Sequence, residues 1–380
     1  MGRLRLSILL LLACLCLGVS AHADSAPARI LLISPFNASY VQFFQTSSTY
    51  MEQLNRSGES YSIDQLYLES AYPPYAPEKT IELQRRLEEI RQGKYRIVVA
   101  FSGVGLDLIR NELGTIPASV SVIVCGLTDG MQDALPVRGN VHYIPQQVRL
   151  RENLELIERL FPGRHTVFLV TPWNLKGREC RRQAMALRHD FPQLRLIIPD
   201  NEKMDADELL AMIGECADDA VVLFQGWYNR RAINASSILH LFNLFGNSDL
   251  PVFVMHTALL QYRTVGGYME DGVKTGIAAA AMTIRLLAGE HVPRVHQPLP
   301  VKLYLKEPML VHYGIDPGKV PDHAKYLGRY ESFLTAYREY VWLVAITILC
   351  LLLITGVSIF AGLRYRRLIR QLRDVFTSLQ

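Results

Sequence analysis

Short apolar runs recur along the chain, and the stretches between them repeat apolar positions every three or four residues. "RILLISPF" (29–36), "YSIDQLYLE" (61–69), "YRIVVAFSG" (95–103) and "SVSVIVCGL" (119–127) have the length and β-branched content of strands. Helices are expected between them: over about 40–56, in "EKTIELQRRLEEIRQG" with its Glu-to-Arg spacings, and in "LDLIRNELG". The first part thus reads β-α-β-α-β-α-β. The rhythm restarts at the helix "VRLRENLELIERLFPG" (148–163) and runs through "HTVFLVTP", "KGRECRRQAMALRHDF", "LRLIIP", "DADELLAMIGE", "AVVLFQGW", "INASSILHLFNLFG" and "PVFVMHT". Near-continuous apolar strands separated by helices predict two parallel sheets, each covered on both faces. The expected fold class is α/β, with two Rossmann-like lobes and a cleft between them.

Ligands of such sheets bind beyond the carboxyl ends of the strands. Those ends place Ser34, Phe36, Asn37, Ser102, Gly103, Gly126, Trp173, Asn174, Gln225, Trp227, Tyr228 and His256 in loops around the cleft. The turn in "VAFSGVGLDLI" (99–109) leaves unpaired amides at a helix start, which suits a phosphate or carboxylate. It is not a dinucleotide fingerprint, because Leu108 stands where Gly or Ala is required, and no Gly-Lys-Ser/Thr follows to make a Walker loop. Trp173, Trp227 and Tyr228 either sandwich a flat or apolar ligand or pack against a neighbouring loop.

Both ends carry topogenic segments. Arg3 and Arg5 precede an apolar run that ends in "AHA" before Asp24, so residues 1–23 read as a signal peptide; Cys14 as a lipidation site and an uncleaved anchor are the alternatives. Residues 341–363 carry no charge and are long enough to span a bilayer, so they read as a transmembrane helix. Arg364, Arg366, Arg367, Arg370 and Arg373 follow, which places the C-terminus in the cytoplasm and residues 24–340 in the periplasm or outside the cell. The expected location is the inner membrane, in a single pass. Residues 321–340 are expected to form a juxtamembrane helix. In 364–380, Tyr365, Leu368, Leu372, Val375 and Leu379 alternate spacings of three and four, the seam of a short coiled coil that would pair two chains.

Removing these segments changes the meaning of the net charge of +4. Setting aside Arg3, Arg5, the five tail arginines and Asp374 leaves 33 basic and 35 acidic residues, so the basic excess belongs to membrane topology and nothing points to nucleic acid. Cys125, Cys180 and Cys216 remain in the exported part, an odd trio with no metal or disulfide spacing. Cys125 has no assignable His or acid partner for catalysis, and Glu270 with Asp271 reads either as an acid–base pair or as a solvated helix cap. No catalytic site, metal site or cofactor motif emerges from the chain.

"VGGYMEDGVKTGIAAAAMTIRLLAGEHVPRV" (265–295) followed by "LPVKLYL" resembles the type I periplasmic-binding-protein superfamily. Within it the likeness is to the ABC-transporter substrate-binding-like domains that also serve as extracytoplasmic sensors of bacterial histidine kinases. The resemblance covers roughly 29–315 and implies that 24–144 and 264–292 form the first lobe, and 145–263 and 293–320 the second. It implies that Ser102 and Gly103 lie in the cleft as ligand contacts, with Tyr268 in the Gly-Gly-Tyr strand as a further one. The function it implies is small-molecule sensing by the front of a two-component histidine kinase; the Ser-Gly turn and the aromatic strand ends suggest a small carboxylate-bearing or aromatic ligand, and the heptad seam a dimer through membrane-proximal helices. The alternative is a membrane-tethered solute-binding protein of an ABC transporter.

Overall fold

The computed structural model describes residues 27–34, 41–58, 60–68, 77–112, 114–128, 138–227, 235–328 and 338–378. The expected signal peptide, Phe36, Asn37, Tyr228 and Leu379 lie outside the described residues. The described chain forms two units, one ending at Leu327 and one beginning at Gly328.

The first unit opens with β1 (Ala28–Ser34), α1 (Val41–Ser57), β2 (Tyr61–Tyr67), α2 (Pro77–Arg91), β3 (Ile97–Phe101), α3 (Ser102–Glu112), β4 (Ser121–Thr128) and β5 (Val141–Gln146). These strands make one parallel sheet in the order β2-β1-β3-β4-β5. There follow α4 (Leu150–Leu160), β6 (Thr166–Val170), α5 (Leu175–Leu187), β7 (Arg195–Ile197), α6 (Ala206–Gly214), β8 (Ala220–Phe224), α7 (Ala235–Gly246), β9 (Val252–Val254), β10 (Gly266–Met269), α8 (Gly272–Leu287), β11 (Lys302–Lys306), α9 (Glu307–His312) and β12 (Lys325–Leu327). The second sheet has the order β12-β11-β10-β9-β8-β6-β7.

Burial on both faces explains the near-continuous apolar strands. In β6 and β8, Phe168, Val170, Val222 and Phe224 pack to one side, while Val167, Leu169, Val221 and Leu223 pack to the other. Each is 0% exposed, and each such side chain contributes about 1.5–3 kcal/mol of transfer free energy. The helices are set by local signals as well: Asp205 and Glu208 form a reciprocal capping box that starts α6.

The structure corrects several expectations. β5 was not legible as a strand, because Pro145 and two polar residues interrupt the run "VHYIPQ". The second sheet is mixed, since β10 and β11 run antiparallel. β10 belongs to that sheet, so the return to the first lobe is made by α8, which packs on α1. Residues 294–299 then run beside β5, through Tyr143 N to Arg294 O at 2.7 Å and His296 N to Tyr143 O at 2.8 Å, so this segment lies with the first sheet and only 302 onward with the second. Residues 321–328 are not helical: Lys325–Leu327 pairs with β11 as an added strand.

The second unit is α10 (Arg338–Ser378), whose stretch Tyr340–Gln371 is long and apolar enough to cross a membrane, an 18-residue window within it having a mean hydropathy of 2.8. Thr347 and Thr355 donate their hydroxyls to the carbonyls of Leu343 and Leu351, so these polar side chains are satisfied within the helix.

The packing of α8 on α1 joins a late segment to the first lobe. Tyr50 of α1, fully buried, shares a hydrogen bond of 3.0 Å with Thr283 of α8. The helices touch at Gly276, where an added Cβ would stand 2.5 Å from the carbonyl oxygen of Thr46. Gly276→Val is therefore expected to lower the stability of the full chain by about 2–3 kcal/mol, as overpacking of a tight contact does. Denaturant unfolding checks this, and a change within error would show that the helices can part without loss.

Candidate functional site

The chain passes between the lobes three times: from Gln146 to Leu150, from Met269 to Gly272, and from Leu299 to Lys302. A lysine ties two of these passages together. Lys176, in the first turn of α5, donates to Glu270 Oε2 at 2.6 Å and to Gln146 Oε1 at 3.1 Å. Gln146 Nε2 in turn donates to Thr275 Oγ1 of α8 at 3.2 Å. The pair is nearly dry, with Lys176 and Glu270 side chains 15% and 8% exposed. A cavity of about 10 Å³, room for about one water, lies beside Gln146, Glu270, Asp271, Thr275 and Leu299.

His256 sits next to this network. Its Nδ1 accepts from the amide of Ala258 at 3.1 Å, which starts the short turn Thr257–Gln261, so a neutral ring carries its proton on Nε2. Its backbone pairs with Glu270, and the amide of Thr257 donates to the Glu270 carbonyl at 3.0 Å. Burial, and then the nearby Lys176 ammonium, push its pKa from 6.5 down to about 3.

Ser102 and Gly126 complete the cluster on the first-lobe side. Among the described residues Ser102 alone is a non-glycine with positive φ, at 69°, a conformation costing roughly 1–2 kcal/mol, and it turns β3 abruptly into α3. Gly126, with φ 97° at an irregularity in β4, lies so close that a Cβ there would stand 3.4 Å from Ser102 Cα and 3.3 Å from Gln146 Oε1. Ser34 is fully buried at the end of β1. Gly103 is the second residue of α3.

The second-lobe strand ends divide. Gln225 presents a carboxamide whose nitrogen and oxygen are both buried without a hydrogen-bond partner among the described residues. Asn174 is used locally: its side chain accepts from Gly177 N at 2.8 Å and caps α5. Trp173 lies under the guanidinium groups of Arg181 and Arg178, 5.4 and 5.9 Å from the ring centroid. Trp227 is 1% exposed and packs in the apolar core, so it is not an open stacking platform. Tyr268 points elsewhere: its hydroxyl meets His323 Nε2 at 2.8 Å, and its amide donates to Asn153 of α4. Ser102, Gly126 and His256 thus fall around one network, while Tyr268 and Trp227 do not.

Lys176, Gln146 and Thr275 were not singled out in the sequence, and Glu270 was read together with Asp271. The structure separates those two carboxylates. Glu270 is the buried partner of Lys176, and Asp271 caps α8 by accepting from Val273 N and Lys274 N. A second contact joins the lobes further out: Asp107 of α3 accepts from Leu175 N at 3.4 Å and lies 3.8 Å from Arg178, with its pKa raised by burial. Cys125 is 1% exposed and burial pushes its thiol up, so it is not an activated nucleophile. Among the described residues no group of three His, Cys, Asp or Glu is placed to hold a metal. The arrangement offers fixed donors and acceptors at strand ends, which is equipment for binding.

Two α/β lobes, one on a parallel and one on a mostly parallel sheet, joined by three passages, give a fold like that of the periplasmic binding proteins. The chain is similar over 78% of its length, and over all of the other chain, to the ABC domain in complex with L-Trp from Streptococcus pneumonia, at 15% identity and TM-score 0.59. It is similar to a conserved domain protein from Vibrio cholerae O1 biovar eltor, at 12% identity and TM-score 0.61, covering 79% of this chain and 99% of that one. A ligand-free, open substrate binding protein with adhesive properties from Clostridium difficile shares 14% identity and TM-score 0.53 over 79% of this chain and 99% of that one. No protein-family model and no curated protein matches the sequence.

Two predictions follow from the buried network. Lys176→Met leaves Glu270 as a buried carboxylate without its cation and is expected to cost about 3–5 kcal/mol; Lys176→Met with Glu270→Leu should recover most of it in the same unfolding assay. For His256 the folded pKa is depressed, so the unfolded chain binds the proton first as pH falls. Stability is fully present above 6.5 and declines towards the folded value of about 3. Melting temperatures between pH 7 and 4.5 should fall in the native chain and fall less steeply in His256→Gln. Equal slopes would show that the ring is not held neutral.

Proposed function

We propose that the first unit is an extracytoplasmic binding domain whose cleft takes a small organic molecule bearing a carboxylate, and that α10 carries it as the sensory front of a membrane receptor. The receptor class is that of two-component histidine kinases, paired through the membrane-proximal and cytoplasmic ends of α10, with the C-terminus in the cytoplasm. One observation carries the ligand reading. At the carboxyl end of β8, Gln225 holds a buried carboxamide with no partner among the described residues, and such a group costs free energy unless something else satisfies it. Ser102 and the amides at the start of α3 supply donors suited to a carboxylate on the opposite lobe.

Ligand binding works here through populations. A ligand that touches both lobes favours their closed arrangement by its differential affinity for closed over open, and the shift is passed to the membrane helix. The tethered importer component is the second reading, favoured by the likeness of the fold to an ABC domain and a substrate binding protein. A neighbouring permease and ATPase would support it, whereas a reading frame that enters a phosphorylatable helical hairpin and an ATP-binding domain would support the kinase.

The ligand test uses the purified full chain in detergent. L-Trp, other aromatic and aliphatic amino acids, and neutral sugars are titrated while the melting temperature is read. A carboxylate-bearing compound is expected to raise the midpoint saturably, and Ser102→Trp and Gln225→Leu are each expected to abolish the rise. A rise that survives both variants moves the site elsewhere, and a rise produced only by neutral sugars overturns the carboxylate.

A further inference from the structure

The amino ends of β4 and β5, opposite to the cleft, border a second open space. A cavity of about 630 Å³ lies there between the first sheet and the turn that follows α8, with Ser121, Asn140, His142, Leu286 and Val292 in its lining. Its volume falls within the range of about 300–1,000 Å³ usual for small-molecule sites. The parallel register Val122↔Val141 and Ile123↔His142 sets Ser121 beside Asn140, and Asn140 and His142 are alternate residues of one extended segment. The three polar side chains therefore share one face of the sheet.

Hydrogen bonds within the protein fix what each of these groups can offer. His142 is 5% exposed, and its Nδ1 lies 3.2 Å from the carbonyl oxygen of Pro293. A carbonyl only accepts, so Nδ1 carries the proton. Burial lowers the pKa of the ring, and Nε2 keeps a lone pair with no partner among the described residues. Asn140 spends both amide hydrogens on the carbonyls of Pro117 and Val120, at 3.0 and 2.7 Å, which leaves its Oδ1 as a second oriented acceptor. Ser121 adds a hydroxyl that can donate or accept. Around them Glu290 is paired with Arg285 at 2.8 Å, Arg138 donates to the Ile116 carbonyl at 3.2 Å, and Leu286 and Val292 form an apolar wall.

These groups select a ligand by exclusion. A carboxylate or phosphate would bring lone pairs to two acceptors that already carry them. An ammonium group would meet the Arg138 guanidinium, with the carboxylate of Glu290 already engaged. A neutral molecule with several hydroxyls can donate to His142 Nε2 and Asn140 Oδ1, exchange a bond with Ser121, and rest its C–H face on Leu286 and Val292. We propose that this cavity is a second binding site, distinct from the cleft, for a neutral polyhydroxylated molecule of the sugar class, with His142 and Asn140 as its fixed acceptors. The occupant touches both β5 and the segment that leads into the ribbon 294–299, and so braces the approach to the third passage between the lobes.

The test uses the full chain in phosphatidylcholine nanodiscs, which carry no sugar groups, and reads ligand saturation-transfer NMR with D-glucose, D-galactose, D-xylose and sorbitol. At least one of the four is expected to bind saturably. His142→Leu removes one acceptor and is expected to weaken that binding at least about tenfold. Ser121→Tyr fills the cavity from β4, leaves the His142–Pro293 bond in place, and is expected to abolish binding, so the loss cannot come from a freed ribbon. Ser102→Trp, which blocks the cleft, is expected to leave sugar binding unchanged. No saturable binding of any of the four, or equal binding in the native chain and Ser121→Tyr, overturns the site; binding lost in Ser102→Trp but kept in Ser121→Tyr also overturns it by moving the sugar to the cleft. The L-Trp titration is unaffected by Ser121→Tyr if both readings hold, so the two fail separately.

Discussion

A nearly dry lysine–glutamate pair at the hinge sets the terms for the rest of the first unit. Lys176 is planted on α5 of the second lobe, yet both oxygens it meets, on Gln146 and Glu270, belong to passages between the lobes. Removing two charges from water costs several kcal/mol per ion, and only good geometry with further hydrogen bonds repays it. The third member, Thr275, supplies such a bond through Gln146. The contact therefore fixes one relation among α5, β5 and α8 more than it adds net stability. His256 beside it stays neutral because a second cation there would face Lys176 in a poorly solvated space.

That constraint also explains the route of the chain. A strand ends at the hinge, the next helix returns to the first lobe, and the helix docks on α1 through a contact that admits no Cβ. The ribbon 294–299 then lies along β5 and brings Leu299 back beside Gln146. Each passage is short: two run from a paired strand straight into a helix, and the third joins the ribbon 294–299 to β11, so the lobes share a joint of three short segments. The Asp107 contact at the start of α5 is a second tie, made between helices and partly solvated, and is the weaker of the two.

Much of this architecture was legible in the sequence, because strands buried on both faces announce themselves as unbroken apolar runs. β3 (IVVAF), β6 (TVFLV) and β8 (AVVLF) lie within the runs from which they were expected. β5 was missed because an inner-edge strand beside an irregular ribbon tolerates Pro145 and His142, which break the pattern. The candidate site was legible by position and poorly by chemistry. Ser102 and His256 follow from the rule about strand ends and Gly126 sits at the irregularity inside β4, whereas Lys176 stands in "KGRECRRQ", where a lysine among arginines looks like part of a solvated face. Glu270 and Asp271 are adjacent in sequence, but only the tertiary partner distinguishes a buried ion from a helix cap. Trp227 sits one residue beyond Gly226 and turns into the core, a choice that no local pattern records.

The placement of β12 decides which lobe bears on the segment that follows. Residues 325–327 pair with β11, and Tyr268 of β10 holds His323 just before them, so the last described stretch of the first unit is fastened to the second sheet at two points. β11 and β10 are also the strands that border two of the three hinge passages. A change in the spacing of the lobes therefore acts on strands that are hydrogen-bonded to the exit of the chain, without passing through the first sheet. Backbone ladders are stiff compared with side-chain contacts, and a displacement of β11 carries β12 with it.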